Sequence, residues 1–254
     1  MGLRLLSYNV RYATLDDGPD AWSERRDGVA DLVRSAAPDV VCFQEVWETQ
    51  FEDLADRLPD YAWVRERTSS GEHTPVAYRT DRLSVVDREV FSLSETPSDR
   101  HAMDWETTVP RVTTAARLRG DDAAFVAAST HLDHGSEWAR RRGAALLAER
   151  FGDRPVPTVM AGDFNCTPAD PPYRAMTEAG FRDARDDADA SAGPETTFND
   201  FDGPQAGRRI DHVFVAGDLG VDRLEVLPDR DDRGRYPSDH FPVLAELSPG
   251  DDGG

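Results

Sequence analysis

VPTVMAGDFN, residues Val156–Asn165, joins two unlike halves. A β-branched, apolar run that reads as a buried strand over Val156–Ala161 gives way at once to Gly-Asp-Phe-Asn, a turn bearing a carboxylate and a carboxamide. A strand that stops in such a cluster holds the backbone rigid while the loop presents the side chains, the usual arrangement of a reactive site on a scaffold. The same pattern recurs along the chain. Leu3–Val10 alternates and delivers Asn9 of SYNVR, Asp39–Glu45 ends on Glu45 of CFQEV, and Ala124–His131 ends on His131 of STHLDH. Asp211 of RIDHVF and Asp239-His240 of SDHFPV flank strands at Ile210–Val215 and Val243–Leu247. Further strands are expected at Tyr61–Arg65, Val76–Arg79, Leu83–Leu93, Val112–Leu118 and Val221–Val226. Helices are expected at Trp22–Ser35, Thr49–Leu58, Glu137–Phe151 and shortly after Pro171-Pro172. About ten strands with scattered helices predict two packed sheets flanked by helices.

No internal repeat, low-complexity linker or composition break divides the 254 residues. One domain over residues 1–247 is expected, with the SPGDDGG segment Ser248–Gly254 as a disordered tail. No apolar run approaches the roughly 20 residues that span a bilayer, and MGLRLLSYNV has neither a basic start nor a cleavage site. Leu6 stands where a myristoylation signal needs Ser or Thr. These features predict a soluble, cytoplasmic protein. Cys42 and Cys166 are too few for a disulfide framework or a four-thiolate zinc site and read as reduced core thiols.

The charge balance is lopsided: 49 acidic against 29 basic residues, a formal net charge of -20. All 29 basic residues are Arg, and Asp outnumbers Glu 34 to 15, a surface composition like that of proteins from salt-accumulating cells; a genome favouring Arg codons is the alternative for the missing Lys. Such a surface ordinarily argues against nucleic acid. At molar salt, however, the Debye length is about 3 Å and counterion release drives little binding, so the net charge does not exclude a nuclease.

The polar clusters are rich in carboxylate and carboxamide oxygen without nearby thiolate, a donor set suited to Mg²⁺ or Mn²⁺ rather than zinc. Histidines beside carboxylates supply the rest, since an Asp can orient an imidazole as a base or hold it as a cation. The ordered set SYNVR, QE, THLD, GDFN, IDHVF and SDHFP resembles the endonuclease/exonuclease/phosphatase superfamily, and the resemblance spans nearly the whole chain. GEHTPVAYR, FSLSETP, WETTVPR and TFNDFDG are similar to a prokaryotic branch of small, single-domain members. Abasic-site endonucleases fit less well, since Arg11 and His131 stand where they carry an acidic residue and a Tyr.

The resemblance implies a four-layered α/β sandwich, two mostly antiparallel sheets face to face with helices outside. It also implies Glu45 as principal ligand of a Mg²⁺ or Mn²⁺ ion, with Asn9 and Asp239 completing or supporting the site through oxygen. Two arrangements of the water-activating group are open. Either Asp211-oriented His240 takes the proton, the favoured arrangement, or Asp163 does and His240 is the cationic clamp on phosphate. His131 donates to a phosphate or leaving-group oxygen, and Asn165 fixes the phosphate without repulsion. Arg111, Arg140, Trp105 and Glu72 are candidate substrate-binding residues. Each has a plainer reading, as surface charge for the arginines and Glu72 and as core packing for Trp105. His134 and Asp133 are explained equally well as solvated loop residues.

The function implied is a metal-dependent phosphoric ester hydrolase working by one in-line attack of water. Its substrate class is left open among small-molecule, lipid-derived and nucleic-acid phosphoesters, and no protein partner is inferable. A catalytically silent scaffold of the same fold is the non-enzymatic alternative.

Overall fold

In β1 (Leu3–Asn9) successive side chains serve two interiors. Leu5 lies in a core shared by two sheets, whereas Leu6 and Tyr8 face a second core made with helices. The same alternation in β8 (Thr158–Asp163) sends Val159 and Ala161 inward between the sheets and Met160 outward. The computed structural model describes residues 2–13, 18–66, 72–121, 123–152 and 154–250.

The first sheet has the order β10-β12-β13-β1-β2-β4-β3, with β2 Val40–Gln44, β3 Tyr61–Val64, β4 Val76–Arg79, β10 Ala190–Ala192, β12 Leu219–Val226 and β13 Val243–Pro249. The second has the order β5-β6-β7-β8-β11-β9, with β5 Ser84–Ser92, β6 Val112–Arg119, β7 Ala124–His131, β9 Arg182–Asp183 and β11 Asp211–Ala216. Outside the first sheet lie α1 (Trp22–Ala36) and α2 (Glu48–Arg57), burying Val29, Val33 and Leu54 against Leu6, Val41 and Phe43. Outside the second lie α3 (Glu137–Phe151) and α4 (Pro171–Glu178), burying Leu147, Phe151 and Met176 against Ala128, Met160 and Phe214. A short α5 (Ala184–Asp187) follows β9. This is the four-layered sandwich expected from the sequence. No helix among the described residues is long and apolar enough to cross a membrane.

Pairing in both sheets is mainly antiparallel, and each contains one parallel pair of long strands at its centre, β1 with β2 and β7 with β8. The last register positions of these pairs are Asn9 opposite Gln44 and His131 opposite Asp163. The two centres are built alike. The run β13-β1-β2-β4-β3 repeats the pairing directions of β11-β8-β7-β6-β5, antiparallel, parallel, antiparallel, antiparallel. No repeat was expected from the sequence, because what recurs is strand direction rather than residue type. Parallel strands gather ligands at their carboxyl ends, and the sandwich brings two such ends together. Polar bonds cross between the sheets just beneath: Ser129 Oγ donates to the Phe43 carbonyl at 2.8 Å and Gln44 Nε2 to Ser129 Oγ at 3.1 Å.

Most element boundaries shift by one or two residues from expectation, and two of the differences matter. β8 starts after Pro157, which cannot donate to a ladder, and runs on into Asp163. The tail does not begin at Ser248, since Ser248 and Pro249 pair with Gly220 and Leu219 in β13; residues 251–254 lie outside the described residues. Gly162 is required by close approach, because a Cβ there would lie 1.9 Å from the Thr130 carbonyl oxygen. Gly162→Ala is expected to cost about 3 kcal/mol or more and to lower the melting temperature by roughly 10 °C in a calorimetric scan, with Asp163 displaced. An unchanged melting temperature would contradict this β7–β8 spacing.

Candidate active site

The carboxyl ends of the two parallel pairs open into a cavity of about 560 Å³. Glu45 enters from the first sheet, His131, Asp163 and Asn165 from the second, and Asp239 and His240 from the loop before β13. Asn9 is buried beneath it, and its amide is the joint between the two sheets. Its Nδ2 donates to Glu45 Oε1 and to Asp163 Oδ2, both at 3.1 Å, while its Oδ1 accepts the Arg11 N–H at 3.0 Å. That last bond fixes the direction of the carboxamide: Asn9 turns nitrogen, not oxygen, toward the carboxylates. Glu45 Oε2 accepts the Tyr12 N–H at 2.9 Å. Asp163 Oδ1 accepts the Asn165 N–H at 2.8 Å, closing the Asx turn that lifts Asn165 into the cleft.

Two acid–imidazole pairs flank Asp163. Asp211, the first residue of β11 and opposite Asp163 in the ladder, accepts from His240 Nδ1 at 2.9 Å, which leaves Nε2 facing Asp163 Oδ2 at 3.8 Å. On the other side Glu72 Oε1 accepts from His131 Nδ1, and His131 Nε2 lies 3.4 Å from Asp163 Oδ2. Asn165 Nδ2, which donates to the Leu132 carbonyl at 3.0 Å, closes over the same Nε2 at 3.1 Å.

Burial opposes protonation of His240, but the charge and hydrogen bond of Asp211, with Asp163 and Asp239 nearby, hold its pKa well above the ordinary 6.5. Burial and Arg111 likewise oppose protonation of His131, and Glu72 and Asp163 outweigh them and raise it. Asp163 is itself raised, by burial first and then by the charge of Asp211. Asp239 is raised by burial too, with the Glu45 charge adding to it.

Arg111 is buried, and it builds the Glu72–His131 pair. It donates to both Glu72 oxygens at 3.0 and 3.1 Å, sits 3.5 Å from Asp133 Oδ2 and 2.8 Å from His134 Nδ1. Burial opposes ionisation of Glu72, yet His131 and Arg111 hold its carboxyl down at about 2. Because that value lies below the ordinary 4.5, the stabilisation is complete above 4.5 and is lost as pH falls toward 2. The stability gap between wild type and Glu72→Gln is therefore expected to reach roughly 3 kcal/mol at neutral pH and to close near pH 2. Urea titrations across that range measure it, and a gap independent of pH would refute the pairing.

Arg140 and Trp105 are not brought into the cleft. Arg140 donates to the Asp133 and His134 carbonyls at 2.9 and 3.0 Å and so braces the loop that carries His131 and Asp133. Trp105 packs beside the outer core of the second sheet, donates to Glu95 Oε1 at 3.2 Å and lies under the Arg142 guanidinium. Cys42 and Cys166 are buried free thiols, the latter pushed up to about 12 by burial.

Several contributors went unread in the sequence. Arg11 lines the cavity with its NH1 3.6 Å from Asp239 Oδ2, and Tyr12, stacked 6.3 Å from Trp47, forms the adjoining wall. Beneath them Arg25 of α1 is 2 % exposed. Its guanidinium donates to the Val10, Arg11 and Pro237 carbonyls at 2.9, 3.1 and 2.8 Å, tying the loop after Asn9 to the loop before Asp239. Arg25 lies in helical phase with Val29 and Leu32, so its inward direction was legible. Such bracing sustains the left-handed backbone of Arg11 (φ 56°) and Glu45 (φ 60°), a conformation unfavourable for both residue types.

Glu45, His131 and Asp163 each offer a ligand atom within 4.8 Å of the others. Two buried carboxylates converging on a single amide nitrogen from opposite sheets make a donor set that fits a hard divalent cation.

The sequence profile of the endonuclease/exonuclease/phosphatase family matches residues 6–240. The chain belongs to this family. Its sandwich is the DNase I-like fold of the family. It is 31% identical to a mannosyl-6-phosphatase of Bacteroides thetaiotaomicron, covering 97% of this chain and 99% of that one at a TM-score of 0.91. A family member from Bacteroides vulgatus is 32% identical over 98% of this chain and 99% of its own, also at a TM-score of 0.91. Drosophila melanogaster Nocturnin is 24% identical over 96% of this chain but 46% of its own length, and human Nocturnin is covered over 65%. The chain thus spans about half to two thirds of the curated relatives it matches.

Proposed function

We propose that the protein is a divalent-cation-dependent phosphoesterase of small phosphate esters, with water attacking phosphorus directly. The observation that carries this reading is the pair of acid–imidazole couples, Asp211–His240 and Glu72–His131, aimed from both sides at Asp163 while Glu45 faces the same point across Asn9. Glu45, with Asp239 beside it, would hold a Mg²⁺ or Mn²⁺, which would neutralise charge on a phosphoryl oxygen.

For the water-activating group we take the second of the two arrangements left open by the sequence. The carboxylates facing His240 and His131 raise both above the ordinary imidazole value, which supports them as cationic donors to the phosphoryl group rather than as bases. Asp163, which faces both imidazoles, orients the attacking water and takes its proton. Asn165 contributes a neutral donor, and Asn9 positions the two carboxylates.

The cavity is of the size that encloses a phosphorylated sugar, and the likeness to a mannosyl-6-phosphatase over nearly the whole of both chains supports the same class. A net charge of -20 weighs against long polyanions at ordinary salt. The arginine-only, aspartate-rich composition supports adaptation to high salt in a cytoplasmic setting, and the assay therefore includes about 1 M KCl as well as dilute buffer.

Hydrolysis of hexose 6-phosphates, p-nitrophenyl phosphate and bis-p-nitrophenyl phosphate is measured with Mn²⁺, Mg²⁺ and EDTA. Monoester cleavage that EDTA abolishes and Mn²⁺ or Mg²⁺ restores is expected. Turnover indifferent to EDTA would overturn the reading, and cleavage of the diester alone would move it to phosphodiesters.

A further inference from the structure

We propose that the cavity carries a second anion subsite, built by Arg208 on Phe198, which selects substrates bearing a second phosphoryl group; this rests on the phosphoesterase reading of the same cleft. Four arginines line the cavity: Arg11, Arg100, Arg111 and Arg208. The first three are matched to carboxylates, Arg11 to Asp239, Arg100 to Glu66 and Arg111 to Glu72. Among the described residues, Arg208 is the cavity arginine whose side chain has no hydrogen bond or ion pair. Its guanidinium lies over the Phe198 ring, 4.8 Å from the centroid.

The Phe198 ring meets the His240 imidazole edge to face, with centroids 5.1 Å apart. The two contacts, end to end, place the guanidinium no more than about 10 Å from the imidazole. An unneutralised, exposed guanidinium within reach of the reacting centre can receive a phosphate, because its planar fork matches two phosphate oxygens.

The position of Arg208 is fixed by its backbone. Its carbonyl accepts from the N–H groups of Thr197 and Phe198 at 3.1 and 3.3 Å and from Thr196 Oγ1 at 3.0 Å. The same loop is fastened to the catalytic one, since the Asn199 N–H donates to the Asp239 carbonyl at 2.7 Å and Asn199 Nδ2 to the Ser238 carbonyl at 3.0 Å. The Arg208 backbone is therefore tied to the loop that carries His240, while its side chain is exposed on the Phe198 ring. Asp200 also lines the cavity and is not ion-paired with Arg208, so its charge opposes a second phosphate.

Second phosphates occur both in sugar bisphosphates and at neighbouring positions of a nucleic acid. Their shared chemistry is read by calorimetry of Mn²⁺-loaded protein with hexane-1,6-diphosphonate and with hexylphosphonate, neither of which can be hydrolysed. The diphosphonate is expected to bind at least about tenfold more tightly than the monophosphonate. That ratio falls to near one in Arg208→Gln, falls below one in Arg208→Glu and rises in Asp200→Asn. A ratio near one in wild type, or one that survives in Arg208→Gln and Arg208→Glu, overturns the subsite. Because binding is read without turnover, this failure is distinct from failure of the phosphoesterase reading, which the hydrolysis assay reports. Competition by fructose 1,6-bisphosphate and by a 5′-phosphorylated dinucleotide then identifies the source: the ligand whose affinity depends on Arg208 carries the second phosphate.

Discussion

Asp163→Asn is expected to slow hydrolysis of a small phosphoester about 10⁴-fold while the protein stays folded, with its melting temperature changed by only a few degrees. Both halves follow from one geometry. Asn165 N–H and Asn9 Nδ2 bond to the carboxyl oxygens of Asp163, and an isosteric carboxamide keeps the turn that the first of these bonds closes. What it cannot keep is a charge facing His131 and His240 and a proton acceptor for water. An amide nitrogen in the place of Oδ2 faces the Asn9 Nδ2 donor and the two imidazoles, and this loss offsets the relief of no longer burying a carboxylate. Turnover and calorimetry on the same sample test both. Because Asp163, His240 and Asp211 act as a unit, Asp163→Asn with His240→Asn should be no more than about tenfold slower than the worse single variant. Activity within tenfold of wild type in Asp163→Asn would remove it from the chemistry.

Glu45→Gln is expected to lower kcat/KM by about 10³-fold and to weaken Mn²⁺ binding by at least about 100-fold. Gln retains an oxygen for the Tyr12 N–H, so the left-handed backbone at this position survives and the loss reports on charge. Calorimetric titration with Mn²⁺ in the absence of substrate separates this from a general loss of structure. Undiminished Mn²⁺ binding would show that the cation lies elsewhere.

The sequence made the polar clusters legible because each closes or leads into an apolar strand, and Asn9, Glu45, His131, Asp163, Asn165, Asp239 and His240 do converge, with Asp211 behind His240. Direction and partnership were not legible. Nothing in SYNVR reveals that the Arg11 N–H would capture the Asn9 oxygen and turn its nitrogen to the carboxylates. Glu72 reads as a candidate substrate contact, and its pairing with His131 is not legible, since that partner is 59 positions away and belongs to the other sheet. Arg140 sits one turn inside α3, where residue type cannot distinguish a loop brace from a phosphate contact. The elements β9, α5 and β10 span two to four residues each, too short to show any periodicity.

The Asn9 amide reaches from one sheet to the other, and with the Gln44–Ser129–Phe43 chain beside it acts as a gauge of the gap between the two layers. A fraction of an ångström of slackening there pulls Asp163 away from Glu45 while every strand keeps its ladder. Heat or pressure should therefore silence the enzyme by parting its two halves at the rim, several degrees before circular dichroism registers any loss of strand.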